Sequence, residues 1–118
     1  MKSMPDDRDL LRGNIPTIIL AVVSEAPLHG FAIAREINQR SNNALQLKQG
    51  TLYPALHALE RDGWITGEWE IPGGERPRKI YTLTPAGVAE LERRMQAWDK
   101  FAAAMDSVTR SKRREQPA

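Results

Sequence analysis

The chain contains no cysteine among its 118 residues. That excludes a disulfide scaffold, a thiolate metal site and a cysteine nucleophile, and it agrees with a reducing compartment. Histidine is nearly absent too, with only His29 and His57, which are set on different predicted elements. Neither a metal site nor a cofactor is expected from such a pair. No nucleophile, base and orienting group can be assembled, and Gly73-Gly74 alone is no phosphate loop, so no catalytic residue is assigned and an enzyme is not expected. Long apolar runs are also missing. The longest, residues 15–23, is too short to span a bilayer. The start, Met-Lys-Ser-Met-Pro-Asp-Asp, lacks the basic opening of a signal peptide. The expectation is a cytoplasmic protein with no membrane partner.

Charge of one sign is scarce once its location is considered. The formal net charge is +2. Arg110, Lys112, Arg113 and Arg114 stand beside a single carboxylate, Glu115, so the excess sits in the tail and the rest is slightly acidic. A basic tail of this kind is usually a solvated end. Any case for an anionic partner must therefore rest on where individual cations stand.

The hydrophobic fraction of 41% is enough for one modest core. Asn14 and Pro16 read as a cap and first-turn proline for a helix whose apolar residues Ile15, Ile18, Ile19, Val22 and Val23 recur at helical spacing. It is apolar nearly all round, as a central buried helix would be, and it should end before Pro27. A second helix is predicted to start at His29-Gly30 and to break at Ser41-Asn42-Asn43. A third buries Leu52, Ala55, Leu56 and Leu59. Pro54 places its start near Gly50 or Thr51, and Gly63 stops it. Residues 64–70 and 78–83 read as two strands around a turn-rich loop, with imperfect alternation. Thr84-Pro85 launches a last, long helix. On it Val88, Leu91, Met95, Trp98, Ala102, Met105 and Thr109 are spaced alternately by three and four, the pattern of a dimer seam.

The order is mainly α with a small β-hairpin: three short helices, a hairpin and a long helix. It predicts a winged helix-turn-helix over residues 10–83, a C-terminal dimerisation helix over 84–110, and flexible tails at 1–9 and 111–118. The third helix would then offer its open face to a DNA major groove. Lys48, Gln49, Thr51, Tyr53 and His57 stand at its start and on that face; the helix N-terminus also attracts phosphate. Arg76, Arg78 and Lys79 stand at the returning end of the hairpin loop, where they would reach the minor groove or a flanking phosphate, with Glu75 opposing them. The bland alternatives are a solvated helix face with a capping Thr51 and a solvated hairpin tip.

Several segments resemble the PadR family of bacterial transcriptional regulators. They are Leu11-Arg12-Gly13-Asn14, residues 26–33, the run Gly50-Thr51-Leu52-Tyr53-Pro54-Ala55-Leu56-His57, Leu59-Glu60, and residues 78–84. The resemblance implies a homodimeric regulator, often a repressor, sometimes released by a small hydrophobic or phenolic compound. It implies the short subgroup, with one dimerisation helix, and places Tyr53 near phosphate. Phe31 stands where many relatives carry tyrosine.

Two-fold protein symmetry calls for a pseudo-palindromic duplex as partner. A small planar aromatic effector is a further expectation, beside Met95, Trp98 and Ala102, because a large ring among soft or small neighbours leaves room for stacking. Drug-like compounds occupy such a pore in the short family members that the chain resembles. The rival reading is a winged-helix protein-interaction module that never meets DNA.

Overall fold

The computed structural model describes residues 11–74 and 76–110. The two tails, with Lys112, Arg113 and Arg114, lie outside the described residues, as do Leu10 and Glu75.

Helix α1 spans Ile15–Val23. Ile19 and Leu20 have no exposed surface and Ile15, Val22 and Val23 almost none. A helix with such residues on several faces must be enclosed by other elements. Helices α2 (Gly30–Arg40) and α3 (Gln49–Arg61) do so on one side. Their apolar faces, Ile33 and Ile37 on α2 and Leu52, Leu56 and Leu59 on α3, close the core with α1. Burying seven side chains as completely as Tyr81, Ile19, Leu20, Ile33, Leu52, Leu56 and Ile65 are buried is the main stabilising contribution, about 1.5–3 kcal/mol for each aliphatic one.

The helices agree with the sequence pattern, with two differences. Pro54 is the sixth residue of α3 rather than a first-turn residue. Without an N–H it leaves the Gly50 carbonyl without the usual donor four residues on. The N-cap of α3 is Lys48, in extended backbone, so Thr51 is a helical residue and not the cap.

The sheet has three strands, where the sequence predicts two. Strands β2 (Ile65–Glu70) and β3 (Arg78–Leu83) form the hairpin, and β1, only Leu28–His29, joins the other edge of β3. All pairs are antiparallel; Leu28 faces Tyr81 and His29 faces Ile80. Two residues carry too little pattern to be seen in a sequence, and this pair forms only because β3 is there to receive it. The distal half of the hairpin leaves the core behind: Ile65 is buried, while Trp69 is 69% and Ile71 66% exposed.

Helix α4 spans Pro85–Thr109. Its start is held at one tight junction. The Thr84 hydroxyl accepts from the Gly87 amide (2.9 Å) and donates to the Gly63 carbonyl (2.7 Å). Gly87 itself lies against the Trp64 carbonyl and the Leu83 side chain, so a Cβ there would collide with both. Glu90 binds Arg93 and Arg94, and the Arg94 guanidinium lies 5.2 Å from the centre of the Trp64 ring. Among the described residues no helix is long and apolar enough to cross a membrane.

This junction yields the first expectation. Gly87→Ala forces α4 off the Trp64 carbonyl and should lower stability by about 1–3 kcal/mol; Thr84→Ala removes a cap and should lower it by about 1 kcal/mol. Urea denaturation monitored by circular dichroism measures both. A Gly87→Ala protein as stable as wild type would mean that α4 is not held tightly against the Trp64 carbonyl.

Candidate nucleic-acid interface

The open face of α3 begins at its N-terminus. Leu52, Leu56 and Leu59 turn inward, which leaves Lys48, Gln49, Gly50, Thr51, Pro54 and His57 exposed. The first amides of the helix have no carbonyl four residues back within it, so the positive end of the helix dipole lies at this exposed terminus. Gly50 has open space where a Cβ would stand.

Tyr53 is half-buried and leans from α3 onto α2. A Cβ on Gly30 would lie 2.7 Å from the Tyr53 hydroxyl oxygen and 2.8–2.9 Å from its ring carbons. Gly30 thus lets the phenol rest on the first turn of α2, and the close contact sets the angle between the two helices. Gly30 itself is placed by β1, which precedes it directly.

The hairpin loop folds back over this region. Gly73 (φ 50°) and Gly74 (φ 79°) adopt the left-handed conformation that glycine takes without strain, and so allow the reversal. Arg76 and Arg78 are exposed on the returning arm. Arg78 lies 3.5 Å from Glu70, its cross-strand partner. Lys79 is placed differently. Its ammonium donates to Glu60 Oε1 of α3 at 2.9 Å, and its side chain is only 23% exposed.

Of the eight residues that the sequence marks for DNA, five therefore converge. Tyr53, His57, Arg76, Arg78 and Lys79 line one concave pocket of about 430 Å³ between α2, α3 and the hairpin. Lys48, Gln49 and Thr51 stand outside it, at the tip of α3. The sequence misses the other lining residues of the same pocket, His29, Phe31 and Trp69 among them. Phe31 is 57% exposed and carries the Arg35 guanidinium 5.6 Å from its ring centre. The missing signal is β1, because only its pairing with β3 carries His29 and Phe31 to the hairpin.

His29 titrates below the ordinary histidine value, first because of burial, then because Arg78 and Arg35 repel a second positive charge; Glu70 opposes the shift. Burial and the neighbouring arginines thus favour the neutral imidazole.

The long helix forms a second region. Val88, Met95, Trp98 and Met105 of the expected seam are exposed, between 39% and 47%. Leu91 is not on an open seam: it packs on the core of its own domain. Two apolar residues outside the expected spacing, Phe101 (57%) and Val108 (77%), widen the exposed stripe. The Trp98 and Phe101 rings are 6.2 Å apart and tilted. A groove of about 800 Å³ runs between α1 and α4, lined by Thr17, Ile18, Ala21, Met95, Trp98 and Phe101 among others. Ala102, expected beside Trp98, is half-buried and is not part of that lining.

Three packed helices followed by a β-hairpin, with a basic helix start and a basic wing on one side, define a winged-helix transcription regulator. The chain belongs to the Transcriptional regulator PadR-like family, whose profile it matches over residues 19–93. It is similar to a transcriptional regulator of Mycobacterium tuberculosis, 34% identical over 95 residues, which cover 80% of this chain and 85% of that protein. It is also similar to the negative transcriptional regulator PadR of Bacillus subtilis, 32% identical over 73 residues, which cover 62% of this chain but 40% of that one. Among solved structures, a transcriptional regulator from Clostridium thermocellum superposes with a TM-score of 0.79 at 26% identity, covering 86% of this chain and 98% of the other. A PadR family regulator from Eggerthella lenta gives 0.78 at 26% identity, covering 88% of each. Family and fold are those of transcription regulators and not of enzymes.

The neutral His29 gives a pH expectation. The unfolded chain takes up the His29 proton near pH ~6.5, the folded chain only at lower pH, so between the two the unfolded state binds more protons and stability falls as pH falls. Glu25 and Glu90, held low by Arg40 and Arg93 respectively, lose their pairs only further into acid. Urea midpoints compared at about pH 7.5 and about pH 5.5 should drop for wild type and drop less for His29→Gln. Equal drops in the two proteins would refute the assignment.

Proposed function

We propose that this regulator is a homodimeric, cytoplasmic repressor that binds a pseudo-palindromic operator. The tip of α3 enters the major groove with Gln49 and Thr51 at base edges, Lys48 and the helix N-terminus at phosphate, and Tyr53 and His57 along the groove wall. The wing places Arg76 and Arg78 on the flanking backbone. The observation that carries the reading is the convergence of Tyr53 and His57 from α3 with Arg76 and Arg78 from the hairpin on one concave, cationic surface beside the exposed start of α3.

Dimerisation is supported by the apolar stripe on the outer half of α4. Trp98, Phe101, Met105 and Val108 are each about half exposed or more, an unusual concentration for a surface that meets only water. A second copy brings the same stripe to meet it, as isologous contacts do. A flat, apolar effector is part of the same reading. The groove beside Met95 and Trp98 has the size and aromatic lining for stacking. It would act by favouring one angle between the two α4 helices over another, and so one spacing of the two α3 helices.

Four measurements test this. Genomic footprinting of the tagged protein should return two half-sites about 10 bp, or a multiple of that, apart. In salt titrations, Lys48→Ala and Arg78→Ala should weaken binding and each lower the log–log slope by about 0.9, while Gln49→Ala should alter base preference more than slope. In sedimentation, Met105→Asp should give a folded monomer, while Leu91→Asp should destabilise the domain itself, because Leu91 is half-buried against a protomer's own core. Failure to bind any duplex at low salt would overturn the repressor reading in favour of a protein partner. Quenching of tryptophan emission by planar aromatic compounds that persists unchanged in Trp98→Ala would remove the effector site alone.

A further inference from the structure

Lys79 occupies the interface differently from its neighbours. Trp69 is its cross-strand partner, and Gly67 stands two residues before Trp69 on β2. Gly67 has no side chain, and the Lys79 stem fills the space above it; a Cβ there would collide with the Lys79 methylenes. The stem therefore runs diagonally across β2 toward α3. Its ammonium ends 2.9 Å from Glu60 Oε1, 5.6 Å from the centre of the Tyr81 ring and 6.0 Å from that of Trp69. Its contacts are thus one carboxylate acceptor and two π-faces. Among the described residues it makes the one side-chain hydrogen bond that joins the hairpin to α3; the Arg78–Glu70 pair stays within the hairpin.

We infer that Lys79 is a positioning residue: by bonding Glu60 it holds the wing at a fixed angle to α3, and it does not itself contact phosphate. This rests on the DNA-binding reading above and deepens it. The physical need is plain. The distal hairpin extends past the core, with Trp69 and Ile71 in solvent, and a two-stranded ribbon without a packed face is marginally stable. Unless held, the wing samples many angles, and binding must select one of them at a cost in ordering free energy. A clamp near the outer end of the paired strands removes that cost before DNA arrives. The ion pair is partly covered, at 23% and 31% side-chain exposure, and framed by two aromatic rings, so it is screened less than a surface pair.

A clamp and a phosphate contact predict opposite results for the partner residue. The probe is a duplex selected by the wild-type protein from a randomised pool, followed by fluorescence anisotropy across a salt series. If Lys79 is a clamp, Lys79→Met and Glu60→Gln each weaken binding by roughly three- to tenfold, the double variant is no weaker than either single one, and the salt slope is unchanged. The exchanged pair Lys79→Glu with Glu60→Lys should recover most of the affinity. If Lys79 instead meets phosphate, Lys79→Met lowers the slope by about 0.9 and Glu60→Gln tightens binding, because it releases the lysine and removes a negative charge. That pair of results overturns the proposal. Wild-type affinity in a folded Lys79→Met protein overturns it equally, and Glu60→Gln, nearly isosteric, carries the test if Lys79→Met fails to fold. A wild-type protein that selects no duplex at all sinks the DNA-binding reading itself, which none of the other outcomes does.

Discussion

Strand β3 is paired along both edges, and the interface depends on that. On one edge β2 makes the wing. On the other, two residues of β1 fasten the start of α2. Its inward residue Tyr81 is almost fully buried, so the strand is anchored to the core and cannot slide by one residue without bringing Ile80 or Thr82 inward instead. With register set in this way, Arg78 and Lys79 at its outer end, His29 and Gly30 beside it, and Tyr53 resting on Gly30 all take determined places. Residues distant in sequence form one surface because they share one strand as neighbour.

Electrostatics on this surface is uneven. The hairpin carries Glu68 and Glu70 as well as its cations, and the chain apart from its tail is slightly acidic. Lys79 is engaged by Glu60, and Arg78 is partly offset by Glu70. What remains fully outward is Arg76, Lys48 and the amide end of α3. A partner that carries negative charge is thus met by a few localised donors more than by a broad basic field, which favours register over general attraction.

The sequence was legible where patterns are long. Helical spacing located α1, α2 and α3, Thr84-Pro85 located the start of α4, and the glycine-rich stretch located the turn of the wing. The stripe on α3 was readable because Leu52, Leu56 and Leu59 stand on one side of a regular helix. Less was visible where a contact links distant segments. β1 is two residues long. Lys79 reads as one of three similar cations until the strand register directs its stem over Gly67 toward Glu60. Leu91 matches a heptad seam as well as Met95 does, and only the packing of α4 against α1 assigns it to the protomer's own core. Phe101 and Val108 fall outside a three-four spacing because the exposed stripe is broader than a strict coiled-coil seam.

The junction at Gly87 has a mechanical consequence. Helix α4 is anchored over its first turns and then runs outward, for about 37 Å in all at 1.5 Å per residue. It is therefore a lever with its fulcrum where backbone meets backbone, at the Trp64 carbonyl. A rotation of about 5° there carries the far end through about 3 Å, less than one helical turn but comparable to the offset between neighbouring side chains along a packed helix. The exchange works in reverse as well. A small displacement of the helix near Met105 and Val108 becomes an angular change in the whole winged domain, and a short glycine contact decides how stiffly the two are geared.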